Sequence, residues 1–185
     1  MKDYYREYPL FSLCGLNCAL CPMHLGGCCP GCGGGEGNQP CARTRCACKR
    51  ERIEFCFDCE RYPCEKYEGF DEYDSFITHR NRHRDLERAK EMGIDAYRAE
   101  LAEKSGILAE LLENFNDGRR KSFYCAAVNL LALKDLRIVM KGIAEAWKGS
   151  EDFSVKEKAA LAAKQFQDMA AARGVDLKLR KKPKM

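Results

Sequence analysis

The apolar positions divide the chain into two stretches with different patterns. From residue 71 onward they recur three and four apart, the spacing of a helix with one buried face. Tyr73, Phe76, Ile77, Leu86, Ala89 and Met92 predict a helix over 71–92 that ends at Gly93. Ile94, Tyr97, Leu101, Leu108, Leu112 and Phe115, with Ser105 on the same stripe, predict a second. Asp95 is its expected N-cap and Asp117-Gly118 its stop. A third, capped by Ser122, carries Phe123, Ala126, Ala127, Leu130 and Leu131. A fourth starts at Asp135, carries Leu136, Val139, Met140, Ile143 and Trp147, and closes at Gly149. Ser154 and Glu157 form a capping box for a last helix with Val155, Ala159, Ala162, Phe166 and Met169, stopping at Gly174. No strand pattern and no repeat of solenoid period is evident.

Before residue 66 no periodicity holds. GGCCPGCGGGEGNQPC is a run of turn formers. Such a segment has too little apolar surface for an ordinary core and needs staples to fold.

Composition sharpens this division. The chain has 185 residues, 45% of them hydrophobic and 32% charged, with net charge +4. That suits one or two domains with a mixed surface. No run approaches the roughly 18 apolar residues of a membrane span. MKDYYREYPLFSL has no apolar secretory core, so a cytoplasmic location is expected.

Cysteine is the anomaly. Of 13 cysteines, all but Cys125 lie between Cys14 and Cys64. In a reducing compartment they do not persist as disulfides, and adjacent Cys28-Cys29 suits a small disulfide frame poorly. Free thiols at this density are an oxidation hazard. Metal ligation is the better reading. The candidate ligands are Cys14, Cys18, Cys21, Cys28, Cys29, Cys32, Cys41, Cys46, Cys48, Cys56, Cys59 and Cys64.

Three CxxC pairs stand out: Cys18/Cys21, Cys29/Cys32 and Cys56/Cys59. A tight turn brings two sulfurs to one ion while its amides hydrogen-bond the thiolates, and two such pairs complete a tetrathiolate. Cys14, Cys18 and Cys21 are expected to share a site with one or more of Cys28, Cys29 and Cys32. Cys56, Cys59 and Cys64 are expected to share another with a cysteine from 41–48. His24 can replace a sulfur, although a histidine merely near the site is the simpler reading.

Zn2+ suits closed tetrathiolates and stabilises the fold outright. A [4Fe-4S] cluster is the alternative, since iron–sulfur sites also use four cysteines in compact runs followed by proline, as at Cys21-Pro22 and Cys29-Pro30. Cys14-x3-Cys18-x2-Cys21 also has the spacing of a radical S-adenosylmethionine cluster loop, but no strand–helix alternation builds the barrel for that chemistry. Residues 1–66 hold nine Lys or Arg against eight Asp or Glu. Twelve thiolates around about three divalent ions leave the segment about six charges more negative. Arg43, Arg45, Lys49, Arg50 and Arg52 are candidates to neutralise them, beside the reading of ordinary solvated charge.

CGLNCALCP, CPGC and FCFDCERYPCEKYEGF resemble a family of bacterial and archaeal proteins known as a cysteine-rich, zinc-binding domain of unknown function. The likeness covers about residues 12–70. HRNRHRDLERAKEMGIDAYRAE and FNDGRRKSFYCAAVNLL are similar to the helical part of its longer members. The resemblance implies metal on the matching cysteines and little else, since the family has no established activity. GGGEGNQPCARTRCAC is richer in cysteine than the family pattern, which implies an additional site there.

Other features read blandly. GRRKSFYC places Arg119, Arg120 and Lys121 before a helix, an anion-binding arrangement or, more simply, a solvated basic turn. Cys125 falls on an apolar face, as a core residue. HRNRHR reads as a solvated helix face, and KLRKKPKM as a frayed basic tail. No Ser–His–Asp set, paired carboxylates, phosphate loop or dinucleotide fingerprint supports catalysis. The expected architecture is a small irregular metal-stabilised Cys-rich N-terminal domain over 1–66, an all-α helical domain over 67–177, and a basic disordered tail over 178–185. The expected role is a non-catalytic zinc module for protein or nucleic-acid interaction. The alternative is an iron–sulfur protein in electron transfer or serving an anaerobic redox enzyme.

Overall fold

The computed structural model describes residues 2–50, 53–147 and 153–183. Arg52 and Gly149 lie outside them. The described residues form seven α-helices and no strand, and Tyr5 and Gly34 make an isolated antiparallel bridge. No described helix is long and apolar enough to cross a membrane. The helices are α1 (Pro22–Leu25), α2 (Ala42–Cys48), α3 (Arg82–Met92), α4 (Ile94–Asn114), α5 (Lys121–Leu130), α6 (Leu133–Trp147) and α7 (Val155–Ala172). Short 3-10 turns sit at Cys18–Leu20, Cys56–Asp58 and Glu65–Tyr67. The chain packs as two compact units, Met1–Leu101 with Leu179–Met185, and Ala102–Lys178. Composition changes at residue 66, but α3 and the first turns of α4 are grouped with the cysteine-rich segment.

The first unit buries Phe11, Leu13, Leu20, Phe55, Ile77, Leu86 and Tyr97. Phe11 lies 4.6 Å from Tyr97 and 5.7 Å from Phe55, ring centre to ring centre. The helix expected from Asp71 starts only at Arg82. Asp74 diverts the chain: its carboxylate accepts from the His79 N–H at 2.8 Å and from the Thr78 hydroxyl. Side-chain acceptors of this kind offer the backbone an alternative to helix. Tyr73 and Phe76 are consequently exposed. The HRNRHR run is not a solvated face, because His79, Asn81 and Arg82 are all buried. The tail segment is tied down at Arg180, whose N–H and C=O pair with the Asp74 carboxylate and N–H at 2.8 Å each.

The second unit is an ordinary helical core. The part of α4 within it buries Lys104, Leu108 and Leu111, with Phe115 just beyond the helix. Lys104 and Leu111 take the inner positions expected of Ser105 and Leu112. The Lys104 ammonium donates to the Leu131 carbonyl at 2.8 Å, which supplies a partner for a buried charge. α5 is buried from Tyr124 to Leu130, Cys125 included, and Ser122 does not cap it. Asp135 lies in the first turn of α6 rather than at its cap. It is buried and paired with Arg173 at 2.6 Å. Ser154 and Glu157 form the expected capping box on α7. Phe166 packs against Tyr124, whose hydroxyl donates to the Phe115 carbonyl at 2.9 Å.

Candidate metal centre

The cysteine-rich segment is held by hydrogen bonds rather than by a large apolar core. Arg6 is its hub. Its side chain is 2% exposed and it pairs with Glu54 at 3.0 Å. It also donates to the carbonyls of Phe11, Cys32 and Glu54. The Cys56 N–H donates to the Leu13 carbonyl at 2.7 Å, and the Cys32 N–H to the Pro9 carbonyl at 2.8 Å. These bonds draw two cysteine-bearing stretches, around Cys32 and around Cys56, onto one strip of chain, residues 6–14. Gly15 makes the turn after Cys14 with φ +93°, and a Cβ there would stand 2.1 Å from the Arg82 carbonyl oxygen. Only glycine fits so close an approach at positive φ.

The structure sorts the candidate ligands into two neighbourhoods and a remainder. Cys46, Cys56, Cys59 and Cys64 line one cavity of about 30 Å³, with Leu13, Arg43 and Tyr67 among its other walls. Cys46 comes from α2, and the other three from the 3-10 turn at Cys56 and the loop after it. The second neighbourhood is an electrostatic one: the charges of Cys14, Cys21 and Cys32 act on Cys18. Burial raises the Cys18 thiol pKa, as does the charge of Cys32, Cys14 and Cys21, while a backbone hydrogen bond from Cys32 opposes the rise. Burial pushes Cys32 up to about 11, with Arg6 opposing and Cys14 adding to the rise. Burial likewise pushes Cys56 up to about 12, opposed by Tyr67 and Arg43 and reinforced by Cys14 and Cys64. Cys14 therefore faces both neighbourhoods.

Four candidates stand apart. Cys28 and Cys48 are exposed. Cys41 caps α2, its sulfur accepting from the Thr44 N–H. The Cys29 carbonyl accepts from His24 Nδ1 at 2.9 Å, which fixes the histidine ring. All thirteen cysteines are free thiols. Among the described residues, no three His, Cys, Asp or Glu side chains form a group that could hold a metal ion as they stand.

The surroundings of Cys56 and Cys14 suit an anionic centre. Arg82 is fully buried, pairs with Asp71 through Nε, and leaves Nη1 and Nη2 without a hydrogen-bond partner. Arg43 donates to the Lys66 carbonyl and leaves Nε unpartnered. Both guanidinium carbons lie over Phe70, at 3.3 and 3.2 Å from the ring centre, so they occupy opposite faces. Tyr67 Oη lies by the Cys56 thiol without a bond of normal geometry, and both burial and that neighbour raise its pKa. Buried donors without acceptors are costly. Thiolates ligating a metal are acceptors of the right charge, and thiol hydrogens are not.

Arg6, Arg82 and Asp85 escaped the apolar-stripe reading. Arg82, Asp85, Leu86 and Ala89 do share a helical stripe, so a pattern that admitted polar residues would have marked α3's inner face. Asp85 accepts from Asn17 at 2.8 Å, and Tyr97 donates to Asn17 at 2.9 Å, locking the loop between Cys14 and Cys18 in place. Nothing local marks Arg6 as buried. No protein-family model, curated protein or solved structure matches the chain.

Proposed function

We propose that this chain is a cytoplasmic zinc protein whose cysteine-rich segment is a non-catalytic, structural module for docking to a macromolecule. Cys46, Cys56, Cys59 and Cys64 are one tetrathiolate set, and Cys14, Cys18, Cys21 and Cys32 the other. The observation that carries this reading is the shared cavity. Four cysteines up to 18 residues apart in sequence line it, as a closed tetrahedral site requires. The unpartnered Arg82, Arg43 and Tyr67 donors support it. So does the resemblance of CGLNCALCP and FCFDCERYPCEKYEGF to the cysteine-rich zinc-binding family. Free thiols throughout agree with a reducing compartment. Bound zinc would neutralise half the charge of each tetrathiolate and fix its loops. The protein's own part is to orient the sulfurs through the Leu13 and Pro9 carbonyls and to meet the remaining charge with Arg43 and Arg82.

The test is purification without oxygen, a visible spectrum, and zinc and iron per chain. We expect a colourless protein with about two zinc ions, one per four thiolates, falling to about one in C46S/C59S. Brown protein that bleaches on reduction would replace this reading with the iron–sulfur one. A folded chain holding neither metal would end both.

A further inference from the structure

A second opening lies on the solvent side of α2. It is an open cleft of about 540 Å³ walled by Ala42, Arg45, Cys46, Lys49, Arg50 and Lys66. Four of these six are cations, and among the described residues neither a carboxylate nor an aromatic ring lines the cleft. Two of the cations are engaged. The Cys46 sulfur is close enough to Arg50 to raise its pKa, and Lys66 Nζ sits 2.6 Å from Glu65. Arg45 and Lys49 are exposed and make no ion pair or side-chain hydrogen bond among the described residues. They stand four apart, Arg45 on α2 and Lys49 at its C-cap, where like charges repel. Charge neutralisation of the thiolates therefore accounts for Arg50, but not for Arg45 and Lys49, which line the cleft without an opposing charge among the described residues.

We propose that this cleft binds the phosphodiester backbone of a nucleic acid. Several cations along one open trough suit an anion with a charge on every unit. The lack of aromatic rings leaves nothing for bases to stack on, so the contact is to phosphate and independent of sequence. An isolated phosphate or a mononucleotide would need a closed pocket with convergent donors, and this opening is wide. An acidic peptide carries its charges on flexible stems that lose more freedom on binding. The proposal deepens the reading of the chain as a docking module by naming the partner.

The experiment is fluorescence anisotropy of the zinc-loaded full chain with a labelled single-stranded oligonucleotide, from about 50 to 200 mM salt, with zinc measured in the same samples. R45Q/K49Q should lower the slope of log affinity against log salt by about 1.4, or about 0.7 per lost phosphate contact. That corresponds to a loss of roughly 50-fold at about 50 mM salt. K181Q/K182Q, on the basic tail, should keep the wild-type slope, which assigns the effect to the cleft. Unlabelled polyglutamate should compete far more weakly than unlabelled oligonucleotide. Absence of binding at about 50 mM salt by a zinc-loaded chain would overturn the proposal. So would an unchanged slope in R45Q/K49Q, polyglutamate competing equally, or displacement by micromolar inorganic phosphate. Binding with the expected slope by a chain without zinc would instead refute the metal reading and leave the cleft assignment standing.

Discussion

The two compact units of this chain reach order by opposite means. Ala102–Lys178 uses apolar stripes: Leu108, Leu111, Leu136, Ile143 and Phe166 are each 1% exposed or less, and its buried charges arrive paired. The unit containing the cysteines has a small aromatic core at Phe11, Phe55 and Tyr97. Its loops depend on Arg6, close glycine turns and buried guanidinium groups. The helical unit leaves a neutral hydroxyl, Ser105 Oγ, buried without a hydrogen-bond partner among the described residues. Around Cys56 and Cys14, in contrast, Arg82, Arg43 and Tyr67 present donors that no protein acceptor meets. That is the difference between a core held by burial and a segment whose buried cations carry donors that lack protein acceptors.

Chelation should break the comparison most visibly. Removing zinc forfeits on the order of 10 kcal/mol of binding free energy per site. We expect amide signals of residues 12–66 to collapse while helical circular dichroism from 102–178 persists. Simultaneous loss of both would show that the second unit depends on the first. Phe166→Ala is the converse cut. It should cost about 4 kcal/mol from a fully buried position, read by denaturant melts, with zinc per chain unchanged.

A pH series sharpens the contrast further. In the metal-free chain, burial holds Cys32 and Cys56 at about 11 and about 12, above the ordinary 9.0 of a thiol. A raised folded-state pKa stabilises the fold below the unfolded value and loses that contribution as pH climbs through the folded one. Whatever fraction of the first unit refolds without zinc should therefore be lost from about pH 9 to 12. With zinc bound the thiolates are already formed, so that alkaline loss should vanish, and metal should instead be released as acid reprotonates the sulfurs. Equal alkaline melting of both forms would show that these cysteines are not ligands. The smallest effect belongs to the α7 cap: Ser154→Ala should cost about 1 kcal/mol, in the second unit alone.

Much of the helical part was legible because burial there follows a 3.6-residue period. Gly93 and Gly174 follow the ends of α3 and α7, and the Ser154–Glu157 box starts α7. The misreadings share one cause. Asp74 replaced the first turns of the expected helix with a side-chain-bonded loop. Lys104 displaced Ser105 from the inner stripe by finding the Leu131 carbonyl. In both places a polar group found a distant or competing partner, and apolar periodicity carries no record of such partners.

The sequence by itself determined that twelve cysteines crowd into residues 14–64 and that CxxC spacing suits tetrathiolates, because a turn sets the reach between neighbouring sulfurs. It could not determine which distant cysteine completes each set. Only the tertiary structure decided that Cys46 joins Cys56, Cys59 and Cys64 around one cavity, and that the charge of Cys32 reaches Cys18. It also decided that Arg82, written in a run of six basic and polar residues, is buried against Phe70. Those neighbours are separated by 10 to 18 residues among the cysteines and by 12 between Phe70 and Arg82. Long-range hydrogen bonds from Arg6, Cys32 and Cys56 hold part of this arrangement, and local pattern does not encode such bonds.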